Sequence, residues 1–583
     1  MNKEIQNRIE EWTNPPFDAN TINEIKELIK NNNEKELTDR FYTNLEFGTG
    51  GLRGVIGAGT NRMNIYTVGM ATQGLADYIK SKNKSAMGVV IARDSRRMSD
   101  VFSMEAAAIL AGNGIKVYYF SDITPTPLCS FAIREFGTVS GIVITASHNP
   151  PEYNGYKVYW DDGGQVIPPQ DNEIIEHVKK IDSISKIKKI NFDSAVKDGK
   201  IKIIKDDFIG SYIKKLEGAA LRSRQESSVK IVYTPLHGTG YKIIPETLKY
   251  FGFKNISLVS EQAIPDGNFP TVKYPNPEEK EALTLAINLA EKTAADVIIA
   301  TDPDADRIGV GFKNSDGKYV LINGNQMGVM LEYYILTRLK EAKKLPANGA
   351  IIKTIVTTDL QEEIADSFGC KAENVLTGFK WIAKKMKEYD ESGKRSFIFG
   401  GEESFGYLPV NFVRDKDAVS ACYFFAEMAD WLARRGKTLY DFLNEIYLNY
   451  KLYLEDLHSL TLKGMDGMEK IGRIMDGFRK NPPEEFSGVN IEKISDIESL
   501  VQKDLSSGKE RSINLPKSNV LQFFLKDGSK ITIRPSGTEP KIKFYFSVNE
   551  KADKANIENI KLKLKEKIEL LKKDLVSKVE RIA

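Results

Sequence analysis

Along this chain, short apolar runs alternate with longer stretches whose apolar positions recur at helical spacing. "SAMGVVIARD" precedes "SDVFSMEAAAILAGNG", and "PEEKEALTLAINLAEKT" precedes "AADVIIATD". The short runs predict buried strands and the long ones amphipathic helices, the βαβ rhythm of α/β units with mixed or parallel sheets. One unit recurs. A helix ending at Gly112 and Gly114 leads into "IKVYYF", a helix ending near Gly252 leads into "KNISLVS", and "DSFGC" leads into "AENVLTG". Glycine is favoured just past a helix end, and the recurrence predicts three related α/β domains.

The last part of the chain has a different pattern. "YKLYLEDLHSLTL" and "SNVLQFFLKDGSKITIRPSGTEPKIKFYFSV" predict an antiparallel sheet with "KDG" as a hairpin turn, and then a long helix from about Lys551. That helix is Lys-rich, but its apolar spacing predicts a packed stripe under a solvated face rather than a membrane anchor. The stretch Ser183–Ile204 reads as the polar edge of the first domain. The most apolar long stretch, Asp417–Ala433, carries acidic residues and is expected to be a buried helix, not a membrane span. The fold class is therefore α/β, with three related mixed-sheet domains and a C-terminal α+β domain.

Composition narrows the function classes. The 583 residues are 41% hydrophobic and 28% charged with a net charge of +3, so no global field points to nucleic acid. A small anionic ligand would need a local basic site. Three scattered cysteines, Cys129, Cys370 and Cys422, form neither a disulfide framework nor a zinc site. With an N-terminus that reads as a charged helix rather than a signal peptide, they point to the cytoplasm.

Four strand-end loops hold the candidate chemistry. In "GIVITASHNPPEYNGYK" the strand Gly141–Thr145 breaks at Ser147, and Pro150 and Pro151 stiffen the loop beyond it, holding a hydroxyl in place. In "IIATDPDADRIGV", Asp302, Asp304 and Asp306 can converge in a curled loop closed by Arg307. Bare carboxylates that close repel strongly, and an all-oxygen set suits a hard divalent cation such as Mg²⁺. In "KITIRPSGTEPKIKFY", Arg534 offers a planar fork, Ser536 and Thr538 offer hydroxyls, and Gly537 lets amides turn toward an anion. Lys541 and Lys543 add charge to this phosphate cradle. In "FIFGGEESFGY", Glu402, Glu403 and Ser404 could accept from a sugar diol; the paired carboxylates could equally be a metal site or an acid/base pair. Upstream, "LTGFKWIA" places Thr377, Gly378 and Lys380 at a glycine turn, with the lysine directed at phosphate. Weaker signals are Arg53 in "EFGTGGLRGVIGAG", the basic "RDSRRMS" near a helix start, where it would cap the helix, and His237 in "YTPLHGTG", either a satisfied loop histidine or a site residue.

Together and in this order, "TASHNP", "DPDADR", "GEESFG" and "RPSGTEPK" resemble the α-D-phosphohexomutase superfamily of phosphoglucomutases and phosphomannomutases, over nearly the whole chain. "EFGTGGLRG" and "TGFKWIA" resemble its longer, phosphopentomutase-like branch. The resemblance implies four domains around a central cleft: a phosphoserine domain at 1–208, a metal-binding domain at 209–322, a sugar-binding domain at 323–452 and a phosphate-binding domain at 453–583. It implies Ser147 as a phosphoryl carrier and one Mg²⁺ held by Ser147, Asp302, Asp304 and Asp306. Arg53, His148 and Lys157 would lie near the reacting oxygens, with Lys157 in proton transfer or charge neutralisation. Substrate would meet Arg307, Thr377, Gly378, Lys380, Glu402, Glu403, Ser404, Arg534, Ser536, Gly537 and Thr538, and the C-terminal domain would close on it.

The implied reaction interconverts glucose 1-phosphate and glucose 6-phosphate, with glucose 1,6-bisphosphate as activator. Phosphomannomutase or phosphopentomutase activity, an aspartyl-phosphate phosphatase and a non-catalytic sugar-phosphate sensor are the alternatives. Partners are expected to be small sugar phosphates, with neither nucleic acid nor membrane, on a monomer or weak dimer.

Overall fold

The computed structural model describes residues 1–48, 50–462, 467–536 and 541–582. The chain forms two compact units, one of Met1–Gly324 with Ile382–Gly436 and one of Asn325–Trp381 with Lys437–Ala583.

In the first unit, a six-stranded sheet is built from β1 (Gly51–Val55), β2 (Val89–Arg93), β3 (Val117–Phe120), β4 (Ser140–Ile144), β5 (Tyr153–Trp160) and β6 (Ile201–Ile204), in the order β1-β5-β4-β2-β3-β6. β4, β2, β3 and β6 run parallel, and β5 and β1 are added antiparallel. All five residues of β4 are buried, as a parallel strand covered on both faces requires. A second sheet repeats the scheme with β7 (Ile231–Thr234), β8 (Ile256–Leu258), β9 (Val297–Thr301), β10 (Ile308–Lys313) and β11 (Tyr319–Leu321), in the order β11-β10-β9-β7-β8. Here β9, β7 and β8 are parallel and β10 returns antiparallel.

The second unit holds a parallel pair, β12 (Gly349–Thr354) and β13 (Lys371–Val375). The first unit holds β14 (Ser396–Glu402) and β15 (Gly406–Leu408), an antiparallel pair joined by a tight turn. The three glycine stops at the ends of the repeated helices, Gly114, Gly252 and Gly369, all have left-handed backbone, with φ of 73°, 93° and 73°. The loop after β4 carries Ser147, the loop after β9 carries the three aspartates, and the turn after β14 carries Glu403. Each repeat thus delivers its polar residues where a sheet strand turns back into an antiparallel neighbour.

The C-terminal part is an antiparallel sheet of β16 (Leu452–Thr461), β17 (Glu485–Phe486), β18 (Val489–Asp496), β19 (Val501–Asp504), β20 (Glu510–Ser512), β21 (Leu521–Leu525), β22 (Lys530–Pro535) and β23 (Lys541–Glu550). The "KDG" turn joins β21 to β22 as expected. The final helix is Ile557–Ile582, starting later than the periodicity suggests. Asp553 opens it: its Oδ1 accepts from the amides of Ala555 and Asn556 and its carbonyl from the Ile557 amide, a capping turn that the regular helix follows from Ile557. The apolar Ala418–Ala433 helix is buried, and Asp417 caps it by accepting from the amides of Val419 and Ser420. Among the described residues no helix is long and apolar enough to cross a membrane.

The N-terminal segment forms three helices, Lys3–Glu11, Ala19–Lys30 and Glu34–Phe41, around Ile5, Trp12, Ile25 and Phe41. Arg40 pairs with Glu36 at 2.8 Å and donates to Ala58 O at 3.1 Å, so this layer braces the segment just after β1.

Gly51 sets the register of β1, the strand that carries Arg53. It pairs with Lys157 at φ 139°, and a Cβ there would lie 1.7 Å from Tyr156 O. Gly51→Ala is expected to loosen β1 without unfolding the sheet. Hydrogen exchange at Leu52–Gly54 should quicken roughly tenfold or more; unchanged exchange would show that β1 does not depend on this close approach.

Candidate active site

The centre is built from the ends of β4 and β9 and the middle of β5 in the first unit. Ser147 comes after β4 with φ 53°, a left-handed conformation that costs a non-glycine residue roughly 1–2 kcal/mol. The conformation is held locally: the Ser147 amide donates to Thr145 Oγ1 at 2.8 Å, and the Asn149 amide donates to Ala146 O at 3.1 Å. The Ser147 hydroxyl donates to Asp302 Oδ2 at 2.7 Å, and His148 Nδ1 lies 3.2 Å from the same hydroxyl oxygen.

Asp302, Asp304 and Asp306 are all buried, and one carboxylate oxygen of each lies within 4.8 Å of the others. The loop curls because Asp302 Oδ1 accepts from the amides of Asp306 and Arg307, at 3.1 and 3.0 Å. Thr126, at the start of the Thr126–Phe136 helix, clamps the middle aspartate twice. Its amide donates to Asp304 O and its hydroxyl to Asp304 Oδ2, both at 2.9 Å.

Lys157, on β5, reaches Asp304 Oδ2 at 2.8 Å and Asp306 Oδ2 at 3.3 Å. Lys416 reaches Asp306 Oδ2 at 3.2 Å and Asp415 Oδ1 at 3.4 Å. Arg307 pairs with Glu278 at 2.6 Å. Even so, Asp304 Oδ1 and Asp306 Oδ1 are buried with no hydrogen-bond partner among the described residues. A buried carboxylate oxygen without a donor is costly, and a cation bound to these oxygens removes the cost. The donor set therefore fits a metal ion, and being all oxygen it fits a hard one.

The electrostatics derive from this packing. Burial, then the Asp304 and Asp306 carboxylates, push Asp302 well above the usual carboxylate range. For Asp304 the burial penalty is outweighed by Lys157 and Lys416, which hold it down. Burial pulls at both lysines, but the facing carboxylates win and keep both ammoniums protonated. Burial, then Arg307 and Arg53, push His148 well below its ordinary range, so its imidazole is neutral at neutral pH.

Arg53 sits on β1 opposite Gly155 of β5, and its field is felt at His148. Glu402 ends β14, is 5% exposed, and acts electrostatically on Arg307 and Lys416. Glu403 and Ser404 lie in the turn after it. The same turn is tied to the aspartate strand, because the Ile308 amide donates to Phe405 O at 3.0 Å.

The remaining expected residues lie in the second unit. Gly378, at φ 114°, precedes the Phe379–Ser392 helix; Thr377 Oγ1 is buried without a hydrogen-bond partner among the described residues; and Lys380 lies over the Trp381 ring. Arg534 is directly opposite Lys543 in the β22–β23 ladder, and the Ser536 amide donates to Lys541 O at 2.7 Å. Two like charges facing across a ladder are destabilising by themselves and suit an anion. Gly537 and Thr538 lie outside the described residues.

Sequence reasoning missed Lys416, Asp415 and Thr126. The first two stand in "VRDKDAV", a charged run directly before the most apolar helix, where burial of the charges was the available signal. Asp415 Oδ2 accepts from Tyr159 OH at 2.7 Å and from Gln165 at 3.0 Å, which fixes the neighbouring Lys416. The basic stretch at Arg93–Ser99 does more than cap a helix, since Arg96 donates to carbonyls of the serine loop. His237 proves to be a satisfied loop histidine: Nδ1 is 3.1 Å from Ile264 O and Nε2 is 2.9 Å from Thr271 Oγ1.

The absence of a side chain at Gly406 makes room for Lys416, since a Cβ there would lie 2.1 Å from Lys416 Cδ. Gly406→Ala should push the ammonium off Asp306. Turnover is expected to fall about 10- to 100-fold, the scale of a lost charge-assisted contact of about 1.5–3 kcal/mol, with the thermal midpoint nearly unchanged. Wild-type turnover in this variant would remove Lys416 from the site.

Comparison with known proteins identifies the family. Residues 44–185, 210–317 and 323–450 match alpha/beta/alpha domains I, II and III of phosphoglucomutase/phosphomannomutase, and residues 488–567 match its C-terminal domain. A phosphoglucomutase of Staphylococcus haemolyticus is 38% identical over 509 residues, covering 87% of this chain and 91% of that protein. One from Staphylococcus aureus is 37% identical over 531 residues, covering 90% and 93%. Among solved structures, a phosphoglucomutase/phosphomannomutase family protein of Burkholderia thailandensis shares the fold with TM-score 0.64 at 20% identity, over 91% of this chain and 98% of that one. Parafusin, a phosphoglucomutase of Paramecium solved in an open form, does so with TM-score 0.64 at 18% identity, over 91% and 96%. The four matched domains and the long similarity to enzymes of one kind make this chain a member of the phosphoglucomutase/phosphomannomutase family, within the α-D-phosphohexomutase superfamily.

Proposed function

We propose that this protein is a phosphoglucomutase that interconverts glucose 1-phosphate and glucose 6-phosphate, with Ser147 as phosphoryl carrier and glucose 1,6-bisphosphate as intermediate and activator. The observation that carries this reading is the Ser147 hydroxyl bonded at 2.7 Å to one of three buried, clustered carboxylates. The names of the staphylococcal relatives support glucose as the sugar. Asp302, Asp304 and Asp306, with an oxygen of the Ser147 phosphate, would hold one Mg²⁺. When bound, this ion neutralises negative charge developing on the phosphoryl oxygens.

The chain's own groups supply the rest. In the first half-reaction the P–O bond to Ser147 breaks and a P–O bond to a sugar hydroxyl forms. The proton lost by that hydroxyl needs a neutral acceptor, and the serine oxygen must regain one. The neutral His148 imidazole, 3.2 Å from Ser147 Oγ, suits the exchange. Lys157 and Lys416 stay protonated against the aspartates, so charge neutralisation is the role we assign to them. In the second half-reaction the other phosphate of the bisphosphate returns to Ser147.

Glu402, Glu403 and Ser404 are assigned to sugar hydroxyls, and Arg53 and Arg307 to the phosphate at the serine. Thr377, Gly378 and Lys380, with Arg534, Ser536, Gly537 and Thr538, are assigned to the distal phosphate. On this reading the serine, metal, sugar and phosphate domains span 1–208, 209–322, 323–452 and 453–583. An aspartyl-phosphate route through Asp302 is disfavoured because both of its oxygens already accept hydrogen bonds, two from backbone amides and one from Ser147.

With Mg²⁺ and a trace of glucose 1,6-bisphosphate, the purified protein should convert glucose 1-phosphate to glucose 6-phosphate faster than it converts mannose or ribose 1-phosphate. Ser147→Ala should lower the rate by about 10⁴-fold or more. Unchanged sugars, with the bisphosphate losing phosphate to water, would overturn the proposal.

A further inference from the structure

The serine loop holds a strained residue, and one arginine turns both of its Nη groups on that loop. Arg96 Nη2 donates to Ser147 O at 2.6 Å and also to Asn149 O. Its Nη1 donates to Pro150 O at 2.8 Å and Tyr153 O at 3.0 Å. Its Nε faces Asp94 Oδ2 at 3.3 Å in an ion pair whose side chains are fully buried. Of the five N–H donors of a guanidinium, four are taken by loop carbonyls and the fifth is buried against Asp94 without a hydrogen bond, so none faces a substrate phosphate.

The other face of Arg96 is held by the second sheet's domain. Its guanidinium carbon lies 4.9 Å from the centroid of the Phe269 ring, a cation–π stack, and Phe269 is itself buried at φ 48°. Arg96 also forms a backbone bridge with Gly267, and Ser95 Oγ donates to His237 O at 2.8 Å. His237 staples this second loop through Ile264 O and Thr271 Oγ1. A continuous path of named contacts thus runs from His237 through the 264–271 loop and Phe269 to Arg96 and Ser147 O. Asp94 ties the same arginine to β4, because the Asp94 amide donates to Ile144 O at 3.0 Å.

We infer that Arg96 is the positioning residue of the phosphoryl carrier: it holds Ser147 in its left-handed conformation over the aspartates, and the His237-stapled loop, through Phe269, is its buttress. This rests on the proposed role of Ser147. The two prolines and the local Thr145 and Ala146 bonds stiffen the loop, but Ser147 still carries an unfavourable φ, and Arg96 adds the hold on its carbonyl that these local contacts do not supply. A planar fork meeting four carbonyls gives that hold, and a lysine ammonium, with three donors on a tetrahedral head, cannot replace it.

The test uses the full chain as Arg96→Ala, Arg96→Lys and Phe269→Leu. Each protein is phosphorylated with glucose 1,6-bisphosphate, and the lifetime of the phosphoryl group on Ser147 is followed by intact-protein mass. The kcat and KM for glucose 1-phosphate are measured beside it. Arg96→Ala should lose about a hundredfold in kcat, the scale of a nucleophile displaced by about 1 Å, with KM within about threefold of wild type. Its phosphoserine should hydrolyse faster, and added guanidinium should restore part of its kcat, short of the wild-type value. Arg96→Lys should behave like Arg96→Ala without guanidinium. Phe269→Leu, which keeps Arg96 and alters one buried ring, should show the same split more weakly and carries the test if Arg96→Ala does not fold.

A raised KM at unchanged kcat would make Arg96 a substrate ligand and overturn the inference. So would wild-type kcat and phosphoserine lifetime in both Arg96→Ala and Phe269→Leu. A wild type that takes no phosphoryl group on Ser147 overturns the proposed function and this inference with it. A phosphorylated wild type beside an indistinguishable Arg96→Ala overturns this inference alone.

Discussion

Three carboxylates buried side by side are the constraint around which the first unit is arranged. Unit charges about 4 Å apart interact by about 4 kcal/mol even at an effective dielectric of about 20. Asp302, Asp304 and Asp306 have none of bulk water's screening, being at most 1% exposed. Several neighbours answer that repulsion. Lys157 and Lys416 bring ammoniums, Thr126 and two backbone amides bring donors, and the Ser147 hydroxyl donates the last hydrogen bond. Two oxygens still have no hydrogen-bond partner among the described residues, and they mark where a cation fits.

The fold supplies these neighbours by repeating one device. A buried strand ends, the chain turns sharply, and it returns antiparallel: β4 to β5, β9 to β10, β14 to β15. The first turn places a hydroxyl, the second three carboxylates, the third a pair of glutamates. Strand ends in α/β sheets are natural sites because the loops there are free to vary while the sheet stays rigid. The turns are also tied to one another. Thr126 and Lys157 belong to the first sheet's domain but bond the aspartates, and the Phe405 carbonyl takes the Ile308 amide.

Much of this was legible in the sequence because it is local. A buried strand that stops in Ser-His-Asn-Pro-Pro, or in Asp-Pro-Asp-Ala-Asp-Arg, announces its loop within a dozen residues. The glycine stops at Gly114, Gly252 and Gly369 mark the repeat for the same reason, since a left-handed position has one favoured residue. What was not legible depends on distance along the chain. Lys416 meets Asp306 across more than a hundred residues, and nothing near Lys416 names its partner. Arg96 looked like a helix-start cation because its acceptors are carbonyls, which every residue has. His237 could not be sorted from sequence because its two partners lie in a loop nearly thirty residues or more downstream. The last helix starts later than expected because Asp553 caps it, and an apolar period does not mark where a cap falls.

The most direct test asks whether the cation and the phosphoryl carrier share one site. Ser147 is phosphorylated with glucose 1,6-bisphosphate, the protein is freed of metal, and the ³¹P resonance of the phosphoserine is followed as Mn²⁺ is added in place of Mg²⁺. If Asp302, Asp304 and Asp306 hold the ion against the Ser147 phosphate, the resonance broadens beyond detection at one equivalent, and stays sharp in Asp304→Asn with Asp306→Asn. A phosphoserine resonance that remains sharp in the wild-type protein with one equivalent of bound Mn²⁺ would place the metal elsewhere and contradict the role given to the triad.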